Sequence, residues 1–248
     1  MNEKSNQLLN NIQSQLLGIT DEHIHYFAQD SSQPERKVGI HLHMLPALQQ
    51  LIAKAQDVGI SIKIASGFRS FERQLMIWNN KFKGKSAIKN QQGEVVEIES
   101  LSELELCKAI LLYSALPGAS RHHWGCDIDI YADNLLAKGQ SLQLEPWEYE
   151  QTGPMGKLSA FLKQEAQALG FYFPYDKYRG GIAVEPWHLS YGPLAKIYQQ
   201  QIDIDMLTKQ LSKVDIAGKK AIITNIEAIA EQFIFNTNQM PNNTEPKK

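Results

Sequence analysis

The stretch Cys126-Asp127-Ile128-Asp129-Ile130-Tyr131 alternates carboxylate and isoleucine with a period of two, the repeat of a β-strand. Such a strand sets Asp127 and Asp129 on one face and Ile128 and Ile130 on the other. It follows directly on Ser120-Arg121-His122-His123-Trp124-Gly125, a short connection delivered by Pro117 and Gly118. One loop-and-strand unit therefore carries two histidines and two acids within ten residues. Taken alone, the acids could be polar groups on an exposed strand face.

The rest of the chain supplies helices and one further strand of interest. Apolar residues at helical spacing predict helices from about Glu3 to Leu17 and from Met44 to Val58, the second closed by Gly59. Ser61 to Ala65 alternates and ends in the turn Ser66-Gly67, and Ser70 can cap a helix from Phe71 to about Asn80. Phe82 to Glu99 is polar and broken by Gly84 and Gly93, a surface loop or small hairpin. Helices are expected from about Leu101 to Ser114, Lys157 to Leu169, Leu194 to Leu211 and Lys219 to Phe233. Between them, Glu185 to Tyr191 has the aromatic, alternating character of a strand, and Pro186 forbids a helix through it. Phe171, Tyr172, Phe173, Tyr175 and Tyr178 are expected to pack a core edge, with a place for one or two of them on a cleft wall as the alternative. No composition break marks a second domain, so residues 1–235 read as one domain and residues 236–248, poor in apolar side chains, as a disordered tail.

Charge and composition narrow the partners. The chain has 25 Lys plus Arg against 27 Asp plus Glu, which gives no broad basic field for nucleic acid. The run Lys81, Lys83, Lys85 reads as a solvated loop, with contact to an acidic peptide or polymer as the alternative. Cys107 and Cys126 make no disulfide framework and are expected as free thiols. With no signal-peptide pattern at the N-terminus and no apolar run long enough to span a membrane, the expected location is the cytoplasm. The number of subunits is not legible.

A catalytic zinc needs three protein ligands of histidine or carboxylate type, a fourth position for water, and a base beside it. His122 and Asp129 lie seven residues apart on either side of Gly125, and His188 can close the same site from a second strand. Glu185 precedes His188 by three residues with Pro186 between, the place of a general base that does not itself ligate. Asp127 shares a face with Asp129 and is either an alternative ligand or a group that tunes the ligands from behind. His123 raises the same question about His122. His23, His25, His41 and His43 read as structural or surface histidines, and Trp187 as core.

Ser120-x-His122-x-x-Gly125-x-x-x-Asp129, followed by Glu185-Pro186-Trp187-His188, resembles the zinc D-alanyl-D-alanine carboxypeptidases and dipeptidases associated with vancomycin resistance. Their pattern is S-x-H-x-x-G-x-A-x-D and then E-x-W-H. Ser66-Gly67-Phe68-Arg69-Ser70 extends the resemblance from about Ile60 to Tyr191, and Asp127 departs from it where the pattern has a small Ala. The resemblance implies an α+β fold, a small antiparallel sheet carrying the zinc site and flanked by helices, of the Hedgehog/D,D-peptidase-like kind. It implies His122, Asp129 and His188 as zinc ligands, Glu185 as catalytic base, Arg69 as the clamp on a terminal carboxylate, and Ser120 as a substrate contact. Gln74 is a weaker candidate. The expected activity is removal of the C-terminal D-alanine from peptidoglycan stem peptides or other D-Ala-terminated peptides. L,D- or endopeptidase cleavage with the same site, or a zinc-binding domain without catalysis, are the alternatives.

Overall fold

The structure is a computed structural model that describes residues 11–240. Strands β1 (Ile24–Ala28) and β2 (Lys37–His41) form a two-stranded antiparallel sheet. Strands β3 (Ile62–Ser66), β4 (Asp127–Ala132), β5 (Phe171–Tyr172) and β6 (His188–Tyr191) form a second, with order β3-β4-β6-β5 and every pairing antiparallel. This is the mixed architecture of helices around small antiparallel sheets that the sequence led us to expect.

The alternation in β4 works as its side chains require. Ile128 and Ile130 are fully buried, in one apolar cluster with Ile62, Ile64 and Leu189 of the sheet. Helices Leu45–Asp57 and Gly156–Glu165 add Leu48, Leu51, Ala55, Leu158 and Leu162 to that cluster. Burying each isoleucine is worth roughly 1.5–3 kcal/mol. That burial fixes the register, because a slip of one residue would turn Asp127 and Asp129 into the apolar layer. Register then places Asp129 directly opposite His188, and Asp127 opposite Ser190.

A second cluster joins helices Phe71–Phe82, Glu103–Leu111 and Ile204–Ser212 to the C-terminal segment through Trp78, Ile110, Leu111, Leu211, Ile222 and Ile229. Ser70 caps the first of these helices by accepting from Arg73 N–H, and Ser102 with Glu105 forms a capping box on the second. Cys107 and Cys126 are free and buried.

The boundaries differ from expectation in several places; one is the helix expected over 219–233, which is two short helices, Lys219–Thr224 and Ile226–Ile229, followed by a π-helical turn, Ala230–Ile234. The strand expected from Glu185 begins only at His188, because Glu185 O accepts His188 N–H at 3.1 Å and closes a turn that Pro186 cannot join as donor. The helix expected over 194–211 is two, Gly192–Gln199 and Ile204–Ser212, since Asp203 accepts from Asp205 and Met206 N–H and starts a new helix. Strands β1 and β2 were not anticipated. Residues 236–240, expected as the start of a tail, are held to the body: Asn236 donates to Arg179 O, and Asn238 bonds Phe173 O and Pro174 O. Residues 241–248, and residues 1–10 of the expected first helix, lie outside the described residues, while residues 11–16 are helical. Among the described residues, no helix is long and apolar enough to cross a membrane.

Candidate metal centre

Three chain segments meet at one point. The turn Gly67-Phe68-Arg69 is fastened to the 3-10 turn Arg121–Trp124, with Arg69 N–H donating to His122 O at 3.1 Å and His122 Nδ1–H to Gly67 O at 3.0 Å. Gly125 ends that turn at φ +69°, where a side chain would be strained and a Cβ would come within 2.3 Å of Ile24 Cδ1. The chain then enters β4, and β6 brings in His188 alongside.

His122, Asp129 and His188 are all buried, and each offers one ligand atom within 4.8 Å of the others. His122 Nε2 lies 3.3 Å from Asp129 Oδ2, and His188 Nδ1 lies 3.2 Å from Asp129 Oδ1. A tetrahedral ion with ligand bonds of about 2.0–2.1 Å separates its ligands by about 3.3 Å. Asp129 Oδ1 and His188 Nδ1 are buried with no hydrogen-bond partner among the described residues. Orphaned buried polar atoms are costly, and a cation between them would satisfy both. The donor set fits zinc.

The hydrogen bonds behind these donors fix which nitrogen faces inward. His122 gives Nδ1–H to Gly67 O and so turns Nε2 to the centre. His188 bonds Asp127 Oδ1 through Nε2 at 2.9 Å and leaves Nδ1 free. Asp127 is itself gripped by Arg121 Nε at 2.7 Å and by Ser190 Oγ at 3.0 Å. It stands behind His188 rather than among the inward donors. His123 is likewise turned away, donating from Nδ1 to Arg69 O at 2.6 Å and accepting Gly118 N–H at Nε2. Burial pushes its imidazole down to about 3, so it stays neutral in this role.

Glu185 Oε2 sits 3.3 Å from His188 Nδ1. Burial raises its carboxyl above the usual range, and Asp129 adds to this, while His188 and His122 draw it back. Burial also raises Asp129, but the neighbouring imidazoles of His122 and His188 outweigh it and hold that carboxyl low.

The centre opens on a cleft of about 410 Å³ lined by Arg69, Ser120, Tyr113, Tyr175, Trp187 and the Gln143–Glu145 segment, among others. Arg69 pairs with neither Glu72 nor Glu185. It donates to Gln74 Oε1 and Ser66 Oγ, both at 2.9 Å, and Gln74 in turn donates to Ala115 O at 2.7 Å. Gln74 thus holds the guanidinium in place. Ser120 is buried on the cleft wall. Tyr175, expected at a core edge, packs edge-on against His188 with ring centroids 4.8 Å apart. Lys81 departs from the solvated run in which the sequence put it: it lies in the last turn of helix Phe71–Phe82, donates to Ser114 Oγ at 2.7 Å and lines the cleft. Its signal was its place one residue before that helix ends.

The family model for VanY, D-alanyl-D-alanine carboxypeptidase, matches residues 37–194. An uncharacterised Haemophilus influenzae protein is 40% identical over 121 residues, 48% of this chain and 92% of that protein. A D-alanyl-D-alanine carboxypeptidase of Enterococcus faecalis is 27% identical over 175 residues, 67% of this chain and 54% of the enterococcal protein. Among solved structures, a mutant of the D,D-pentapeptidase VanY from a VanB-type resistance cassette, in complex with Zn(II), aligns at 23% identity and TM-score 0.47, covering 76% of this chain and 92% of that one. The LdcB LD-carboxypeptidase aligns at 21% identity and TM-score 0.46, covering 79% and 72%.

Proposed function

Because the chain belongs to the VanY family of D-alanyl-D-alanine carboxypeptidases, we propose that it removes the C-terminal D-alanine from D-alanyl-D-alanine-terminated peptides such as peptidoglycan stem peptides or their precursors. In this reading zinc is held by His122, Asp129 and His188. The observation that carries it is the convergence of those three side chains, with Asp129 Oδ1 and His188 Nδ1 buried without a hydrogen-bond partner among the described residues.

Zinc bound there supplies Lewis-acid polarisation of the scissile carbonyl and lowers the pKa of water to roughly 7. Glu185 takes the proton from the attacking water and passes it to the leaving amine nitrogen, a role for which a carboxyl raised by burial is suited. Arg69 binds the substrate's terminal carboxylate, to which a planar guanidinium offers two parallel donors. Among the described residues its side chain bonds the neutral oxygens of Gln74 and Ser66, with no carboxylate at ion-pair distance, which suits that use. Ser120, beside it on the wall, contacts the bound terminus. A terminal-carboxylate clamp favours removal of a C-terminal residue over internal cleavage.

Mass spectrometry of a defined stem pentapeptide, incubated with purified protein with and without a zinc chelator, tests this. Loss of one alanine, abolished by chelation and restored by zinc, is expected. Cleavage within the stem, or turnover indifferent to the chelator, would overturn the proposal.

A further inference from the structure

Asp127, Ser190 and Tyr172 form one row across three strands. Register sets Asp127 of β4 opposite Ser190 of β6, and Ser190 opposite Tyr172 of β5. The next row on the same face is Asp129 with His188, the two ligand candidates that the sheet supplies. Whatever holds the first row therefore holds the second, two residues further along β4 and β6.

A single guanidinium reaches every member of the first row. Arg121 donates from Nε to Asp127 Oδ1 at 2.7 Å, and from Nη2 to Ser190 Oγ and Tyr172 Oη, both at 2.8 Å. Its Cζ lies 4.6 Å from the centroid of the Trp124 ring. Arg121 and Asp127 are both buried, so each charge is costly without the other. Arg121 also stands next to His122 in the turn Arg121–Trp124, so the same side chain fastens the turn of the third ligand candidate to the sheet. The motif that this chain otherwise matches has a small Ala at position 127, which could pair with no guanidinium; the Arg121–Asp127 pair lies outside that motif.

We propose that Arg121 is a positioning residue for the metal: acting through Asp127, it aligns the three ligand-bearing segments and keeps a charged acceptor behind His188, and so sets how tightly zinc is held. This rests on the zinc site of the proposed function. A carboxylate bonded to the outer nitrogen of a ligating imidazole fixes the ring and raises its basicity. Arg121 keeps that carboxylate in place although it is buried two residues from Asp129 on the same strand face. Lysine could not substitute, because an ammonium lacks the planar fork that spans Asp127, Ser190 and Tyr172.

Zinc affinity of the full chain, read by competition with a chelator of known affinity, tests this in a double-variant cycle. Arg121→Lys and Asp127→Asn should each weaken zinc by about 10- to 100-fold. The combined chain should stay within about threefold of Asp127→Asn alone, since Arg121 then has no carboxylate to act through. With Co(II) in place of zinc, the visible absorption of Arg121→Lys should differ from that of the parent chain. Arg121→Met with Asp127→Ala removes both buried charges together. That chain should keep a metal-free urea midpoint near the parent's yet bind zinc about 10- to 100-fold more weakly, and it decides the question if a single variant does not fold. A brace that serves the fold alone would lower the urea midpoint and leave zinc affinity and the Co(II) spectrum at parent values. That result would overturn the assignment, as would losses that multiply in the combined chain. A parent chain that binds zinc but cleaves no peptide would sink the proposed function, and the affinities would still decide this inference. A parent chain that binds no zinc would overturn both.

Discussion

Asp127 Oδ1 lies 2.9 Å from His188 Nε2, so a carboxylate held by Arg121 and Ser190 decides which nitrogen His188 presents to the centre. The backing carboxylate and the ligand candidate Asp129 come from the same strand face, two residues apart.

Asp127→Asn should therefore keep zinc stoichiometry while weakening affinity by about 10- to 100-fold, the usual cost of removing a group behind a ligand. Asp129→Ala should lose zinc outright. Competition titration against a chelator of known affinity reads both, and equal losses would contradict the division of roles.

Glu185→Gln should bind zinc as the parent chain does and lower kcat by about 10²- to 10⁴-fold, the contribution of positioned proton transfer. Metal analysis and single-turnover kinetics on the same preparation check this. Full activity in the zinc-replete variant would remove Glu185 from the mechanism.

Arg69→Ala should raise KM and cut kcat/KM by roughly 10- to 100-fold on a free-acid peptide, as expected for a lost charge-assisted pair. An amidated C-terminus, poor for the parent chain, should be equally poor for the variant. The ratio of the two substrates is the measurement, and a ratio unchanged by the substitution would leave Arg69 without the proposed role.

His23 and His41 give the stability a pH dependence. His41 bonds Tyr198 Oη through Nε2 and accepts His43 N–H at Nδ1, and His23 packs edge-on against it with ring centroids 5.3 Å apart. Burial pushes both down to about 4; Asp21 and two backbone carbonyls partly oppose this at His23, while His23 and His43 reinforce it at His41. A folded-state value below the unfolded 6.5 means that the unfolded chain binds more protons between those limits. The stabilisation is complete above about pH 6.5 and is lost as pH falls toward 4, on the order of 2–4 kcal/mol for the pair by pH 5. Urea midpoints at pH 7 and pH 5, for the parent chain and His41→Gln, should converge as pH falls. A constant gap would refute the linkage.

Much of this was legible from local pattern. The period-two alternation of residues 126–131 fixed a strand with an acid face and an isoleucine face, and its burial in the structure follows that pattern. The cap at Ser70, and the short-range spacings of His122 to Asp129 and of Glu185 to His188, act over a turn or a strand and can be read without knowing the neighbours. The hairpin β1–β2 and the break at Asp203 escaped notice: apolar periodicity runs through Ile202, and only the competing cap at Asp203 divides the helix.

What the sequence alone determined was which residue types could share one cation and on which strand faces they would stand, because side-chain direction along a strand or turn is set by backbone geometry within a few residues. What only the tertiary structure decided was partnership: that Asp127 backs His188 across 61 residues, that His123 anchors Arg69 across 54, and that Lys81 turns into the cleft against Ser114. Those assignments depend on how separate elements pack, since a hydrogen bond forms only where the packed backbone brings donor and acceptor to about 3 Å.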